Sequence, residues 1–319
     1  MTYKIGLQTD ALEGLNSVSK SLGYDDDSAL ILAAEAQKQG HELFYFTPDN
    51  ISYCYGEVIA WIRKITIKDI NNKIFDFGDY ERVFLKDLDI ILMRQERPYN
   101  LKYLTNCRLL SKIDTNTLII NNPYHVQTTS DHWFVTAFPE ITPPTVISCD
   151  PKEIKAFRAE HKDVILKPLY SRHGEGKYHL TSESENIDSY MEMFAKLYDQ
   201  MIIAQKYIAH DTDRKIIVID GKPVGAYDQP ITHYGAKEKP EHISCKPVKA
   251  VLSKRNLEIC EHIAPTLKDM NITIASVDII GDYMIEIDIN SPVGLGQINQ
   301  LNGINCAEPF WEAVFQKLK

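Results

Sequence analysis

Residues 275–292, ASVDIIGDYMIEIDINSP, set carboxylates at strand spacing inside two short apolar runs. Val277, Ile279 and Ile280 flank Asp278, Gly281-Asp282 reads as a two-residue turn, and Ile285, Ile287 and Ile289 alternate with Glu286, Asp288 and Asn290. The pattern predicts a β-hairpin with one apolar and one acidic face. On a pleated strand Glu286, Asp288 and Asn290 project to the same side, about 7 Å from one to the next, and Asp278 on the partner strand can face them. Such a face has two readings. Crowded carboxylates repel one another unless a cation sits among them, and hard oxygen ligands suit Mg²⁺ that also holds substrate phosphates. A solvated hairpin face explains the same alternation.

The rest of the chain bounds the choice. Its 319 residues exceed one ordinary hydrophobic core, so two or three subdomains are expected, and 44% hydrophobic with 25% charged residues is the composition of a globular protein. A formal charge of −9 argues against a nucleic-acid partner held on a basic surface and favours small-molecule substrates. Six scattered cysteines form no CxxC pair, which suggests neither a disulfide framework nor a zinc site. The first residues lack the apolar core of a signal peptide, and no window approaches a membrane span, so the expected location is cytoplasmic.

Read in order, residues 3–8 form a short apolar strand ending at Asp10, with a polar stretch behind it. Asp27-Ser28 can cap a helix that Gly40 ends before a strand at 42–46, which gives a β-α-β unit and an open parallel sheet. Residues 53–83 read as a hairpin excursion. The run LDIILM at 88–93 is a strand covered on both faces and leads into Arg94 and Arg97, which either read substrate carboxylates or are ordinary loop charges. Asn121-Asn122-Pro123 marks a domain boundary. Three domains are expected: 1–121, an α/β substrate domain; 122–200, a central α+β lid; and 201–319, a C-terminal domain with the acidic hairpin.

Within the lid, Lys167 closes an apolar strand, and a loop with Gly174 and Gly176 follows, able to wrap phosphates or simply to make a turn. His173 and Lys177 in and beyond it read as lid surface or as weak site residues. The strand at 201–205 runs into Lys206, Tyr207 and Ile208, residues 211–215 read as a turn, and residues 228–248 read as a long polar loop. A helix over 252–271 is expected to break near Pro265.

Taken together, LKDLDIILMR (85–94), TLIINNP (117–123), DVILKPL (163–169), VIDGKPV (218–224), IAPTLK (263–268) and the hairpin resemble the ATP-grasp ligases, and among them the bacterial glutathione synthetase family, over nearly the whole chain. The resemblance implies an ATP-grasp fold of class α/β. It also implies that ATP lies between lid and C-terminal domain, that an acyl phosphate forms on a carboxylate substrate, and that an amine then attacks it. Mg²⁺ (or Mn²⁺) would sit on Asp278, Glu286 and Asp288, with Asn290 sharing the role. Lys167 and Lys215 would contact phosphates, Gln205, Lys206, Tyr207 and Ile208 would frame the adenine, and Asp211 or Asp213 would take the ribose. Asp10, Arg94 and Arg97 are the substrate candidates, no side-chain nucleophile is required, and a homo-oligomer, a tetramer, is implied.

Several positions depart from the family pattern. His132 stands where a second ATP-binding Lys is usual, although a histidine in a helix is more often a satisfied structural residue than a phosphate ligand. The loop YSRHGEG (170–176) carries fewer glycines, Lys215 replaces an Arg, Asp288 replaces an Asn, and the loop at 235–250 lacks the Arg-Asn and Gly-Gly pairs. Two alternatives therefore stand beside glutathione synthesis: a related ligase joining a different amino acid or peptide, and a weakened nucleotide-binding regulatory protein.

Overall fold

In the computed structural model three sheets follow one another along the chain. The structure describes residues 1–12, 27–113, 116–170, 176–181, 187–231 and 246–318. The polar stretch behind Asp10, the core of the glycine loop with His173, and most of the loop at 235–250 lie outside the described residues.

The first sheet has seven strands: β1 (Lys4–Thr9), β2 (Glu42–Phe46), β3 (Ile51–Cys54), β4 (Glu57–Asp69), β5 (Ile74–Phe84), β6 (Ile90–Arg94) and β7 (Leu118–Ile120). Their order is β3-β4-β2-β1-β6-β7, with β5 added on β4. The strands β2, β1, β6 and β7 are parallel, as their unbroken apolar runs require. The hairpin excursion is built into this sheet, because β4 pairs antiparallel with β2. Between β1 and β2, α1 (Ser28–Lys38) starts where the Asp27 carboxylate accepts from the Leu30 N–H at 3.1 Å, and Gly40 follows its end at φ +87°. The helix α2 (Leu101–Leu110) crosses from β6 to β7.

After α3 (Pro123–Thr128) and α4 (Asp131–Phe134) comes a four-stranded antiparallel sheet of β8 (Thr145–Ser148), β9 (Val164–Pro168), β10 (Tyr178–Leu180) and β11 (Ile202–Lys206), backed by α5 (Pro151–His161) and α6 (Ile187–Tyr198). The expected boundary after residue 200 therefore falls too early, since β11 lies between β9 and β8 in this sheet.

The third sheet is antiparallel, ordered β14-β13-β12-β15-β16, with β12 (Thr212–Ile219), β13 (Lys222–Pro230), β14 (Val248–Lys249), β15 (Ile274–Ile280) and β16 (Tyr283–Asp288). The expected turn at 211–215 is instead the beginning of β12, which pairs with β13 as far as Thr212↔Pro230. The helix α7 (Lys254–Asp269) runs unbroken through Pro265, which lies on its exposed side, where water can serve the carbonyl that loses its partner.

The last helices, α8 (Leu295–Asn302) and α9 (Ala307–Lys317), return to the first sheet and pack on α1. There the buried Trp311 indole donates to the Leu32 carbonyl at 2.8 Å, and its truncation to Ala is worth roughly 3–5 kcal/mol. Asn121, just past β7, joins first and third sheets. Its amide donates to the Ile274 and Ile289 carbonyls, each at 2.7 Å, and its oxygen accepts from Thr273 N at 2.8 Å and Ile274 N at 3.1 Å. Among the described residues no helix is long and apolar enough to cross a membrane.

Candidate active site

The hairpin β15–β16 forms as its alternation predicts. Val277 pairs with Ile287 on the buried face, while Asp278 pairs with Glu286 and Ser276 with Asp288 on the other. The neighbouring strand sets Lys215 opposite Asp278, so the ammonium and the carboxylate form a short ion pair on that face. Asp213, two residues earlier on β12, shares the face. This is a consequence of the strand starting at Thr212, and it removes Asp213 from the hinge where a ribose contact was expected and places it in the field of Asp278, Lys215 and Glu286.

Asn290 does not continue the acidic row. The strand stops at Asp288, whose carboxylate accepts from the Asn290 N–H at 2.7 Å and the Ser291 N–H at 3.2 Å, and this turns the chain away. The Asn290 amide instead donates to Asp131 at 2.7 Å and to the Tyr99 hydroxyl.

Both arginines at the end of β6 are engaged within the protein. Arg94 is buried, and its Nη2 donates to the Pro292 carbonyl at 2.6 Å, which ties the first sheet to the loop behind the hairpin. Arg97 pairs with Asp131 and lies 3.6 Å from Asp288. Burial works against its charge, but Asp131, Asp288 and Glu286 outweigh it and hold the guanidinium protonated. Asp10 stays at the mouth of this region, accepting from the Glu96 N–H at 2.8 Å.

His132 is buried in α4 with Nδ1 3.4 Å from Glu286. Burial, with Lys167, Lys177 and Arg97 behind it, pushes the imidazole down to about 3 against the pull of Glu286, so it is neutral at physiological pH. Burial alone would raise Glu286, yet His132, Lys177, Arg97 and Lys167 bring it well below the usual carboxylate range. With the imidazole neutral, the ionised state of Glu286 rests on the three cations.

Lys167, at the end of β9, is 2% exposed, and its Nζ has no hydrogen-bond partner among the described residues. Burial and the nearby Lys177 push it down to about 7. Asp213 moves the other way, burial and Asp278 pushing it up to about 7. Lys215 is held protonated, because Asp278 outweighs the cost of burial.

The expected adenine segment is only partly available. The Lys206 N–H donates to Pro144 O and the Tyr207 N–H to Asp163 O, each at 2.9 Å. Gln205 is buried, with its amide 3.3 Å from Thr145 Oγ1 and its Oε1 unpartnered among the described residues. Tyr207 stacks on His179 at 4.0 Å, and Asp211 lies exposed just beyond.

These groups suit a metal-bound polyphosphate. Asp278, Glu286 and Asp288 offer hard oxygens, and two buried groups of opposite sign, Lys167 Nζ and Asp213 Oδ1, have no hydrogen-bond partner among the described residues. Among the described residues no three His, Cys, Asp or Glu side chains converge on one point. A Mg²⁺ held by one or two carboxylates together with substrate phosphates does not need three. Asp131, Tyr99 and Asn121 escape sequence reading because their partners lie far along the chain. Asp131 has only its place beside His132 as a signal.

Comparison with known proteins agrees with this geometry. Residues 131–303 match the prokaryotic glutathione synthetase ATP-grasp domain, and residues 4–127 match the prokaryotic glutathione synthetase N-terminal domain. A glutathione synthetase from Brucella melitensis is 38% identical over 316 residues, covering 98% of this chain and 99% of that protein. Among solved structures, the D-cycloserine synthetase DcsG superposes with a TM-score of 0.69 at 13% identity, covering 99% of this chain and 100% of that one. The ATP-grasp ligase PsnB, with its minimal precursor, superposes at 0.64 and 13% identity, covering 100% of both chains, and these two likenesses speak to the fold alone. Matched in both its halves and along its length, the chain belongs to the prokaryotic glutathione synthetase family of ATP-grasp ligases and is an ATP-dependent ligase that forms a C–N bond.

Proposed function

We propose that the chain makes glutathione: ATP phosphorylates the glycine-accepting carboxylate of γ-glutamylcysteine, the amine of glycine attacks the acyl phosphate, and phosphate leaves after ADP has been formed. The observation that supports this most is the placement of buried Lys167, whose Nζ has no hydrogen-bond partner among the described residues, in the field of Asp278 and Glu286, in a chain similar along its length to glutathione synthetases.

In this reading Lys167 and Lys215 meet the phosphates, and Asp278, Glu286 and Asp288 hold Mg²⁺. The metal would offset charge that develops in the transferring group. His132 braces Glu286 and brings no charge of its own. Gln205 Oε1 and the Ile208 N–H read the adenine edge, with Lys206 and Tyr207 shaping the pocket through their strand bonds, and Asp211 takes the ribose. Asp10 and Arg97 line the acid-substrate side, where Arg97 is already balanced by Asp131, while Arg94 supports the loop behind them. The substrates are small molecules, the location is the cytoplasm, the working assembly is a homo-oligomer, and the domains divide near 121 and after β11.

Purified protein incubated with Mg-ATP, γ-glutamylcysteine and glycine should release ADP and yield a product with the mass of glutathione. ADP that forms only with a different acid or amine would replace this substrate assignment with another ligase of the same family.

A further inference from the structure

The ligand face of the four-stranded sheet divides into rows. Across β10, β9, β11 and β8, His179 pairs with Ile165, Ile165 with Gln205 and Gln205 with Thr145, and side chains paired across strands share a face. One step along, Lys177 comes immediately before β10 and the Tyr178↔Leu166 pair, and lies near enough to Lys167, the residue after Leu166, to lower its pKa. The intervening residues, Tyr178 and Leu166, point the other way into the core with Phe194. The face thus carries His179, Ile165, Gln205 and Thr145 in one row, with Lys167 and Lys177 beside it.

Gly176 fixes where Lys177 begins. It sits at φ +68°, and a Cβ there would lie 2.7 Å from the Tyr198 hydroxyl and 2.8 Å from Pro168, so the backbone is pressed between the last residues of α6 and β9 as it enters β10. Lys177 then lies close enough to Lys167, Glu286, Asp278 and Asp213 to bear on the protonation of each.

Like charges held near one another repel. Here the repulsion is set inside a half-buried cleft, where it acts more strongly than in water. The neutral His132 supplies no positive charge to this cleft. An anion lying between the two lysines turns the repulsion into attraction.

We propose that Lys177 is a phosphate-binding residue, acting with Lys167 as a two-lysine clamp on the polyphosphate of the nucleotide from the four-stranded sheet. The proposal rests on the ATP-dependent reading of the site and adds a residue to it. It is tested by the affinities of Mg-ATP and of adenosine, measured by titration calorimetry for wild type, Lys177→Met and Lys177→Arg. Loss of a charge-assisted contact predicts that Lys177→Met weakens Mg-ATP about 10- to 100-fold. Adenosine, which lacks phosphates, should bind equally to all three, which also reports an intact fold, and Lys177→Arg should retain most of the Mg-ATP affinity. Mg-ATP bound by Lys177→Met as tightly as by wild type overturns the proposal, as does an equal loss of adenosine affinity. Wild type that binds Mg-ATP but shows no turnover with γ-glutamylcysteine and glycine overturns the substrate assignment and leaves the clamp standing.

Discussion

The ligand faces of the second and third sheets carry opposite charge, and they answer it differently. On the third sheet the strand β12 brings Lys215 directly to Asp278, so the acidic face supplies part of its own neutralisation. On the second sheet Lys167 has no hydrogen-bond partner among the described residues. Burial acts on both signs alike: it takes Lys167 down to about 7 and Asp213 up to about 7. Lys215 thus answers part of the third sheet's charge from within, while Asp213 Oδ1 on the third sheet and Lys167 Nζ on the second are left without hydrogen-bond partners among the described residues. A metal-bound polyphosphate would bring an anion to Lys167 and a further cation to the carboxylates.

The sharpest way to break this contrast is at Glu286. Glu286→Gln keeps the shape and removes the charge that Lys167, Lys177 and Arg97 hold ionised. It should lower kcat about 100- to 1000-fold, read as ADP release at saturating substrates, while nucleotide affinity changes much less. Equal losses in both would mean that the acidic face binds nucleotide without favouring the transition state.

A smaller effect is expected on the opposite sheet. Lys167→Met should weaken Mg-ATP binding about 10- to 100-fold. The same residue sets a pH dependence whose sign follows from its lowered pKa. In the free protein Lys167 loses its proton as pH rises through about 7, whereas bound phosphates keep it protonated, so binding takes up a proton above that pH. The Kd for Mg-ATP should then rise by up to about tenfold per pH unit above 7. In Lys167→Met this alkaline limb should vanish. A limb that survives the substitution would assign the titration to another group.

The smallest effect on turnover is expected where no net charge is involved. Asn121→Ala should leave kcat within a few-fold and reduce stability to urea by roughly 1–3 kcal/mol, because it strips buried backbone groups of their partners. A large fall in kcat at full stability would instead make Asn121 part of the chemistry.

Much of this arrangement is legible in the residues themselves. The period-two alternation of 275–288 places Asp278, Glu286 and Asp288 on one face because the opposite face is a continuous core of Val277, Ile279 and Ile287. Lys167 is legible as the charge that ends an apolar strand. The opening of β12 is not, because Thr212, Asp213, Arg214 and Lys215 are polar on both faces and mimic a turn. Its register comes from β13 and β15, not from local pattern. Asn290 misleads for a different reason: alternation persists in the sequence after the backbone has left the strand, and the turn is made by the Asp288 side chain, which accepts from the Asn290 and Ser291 N–H groups. Arg94 and Arg97 have partners near residues 131 and 292, and separations of that length leave no local trace. The nearness of Lys177 to Lys167 shows only when the approach to β10 is laid beside β9.

Asn121 has one more consequence. A side-chain amide has two hydrogens and one oxygen with two lone pairs, and here all four positions are taken, by Thr273, Ile274 and Ile289. The joint is saturated: no water can wedge into it stepwise, and sliding one sheet past the other would have to break the whole set together. First and third sheets are therefore pinned to each other through one side chain just past the end of β7.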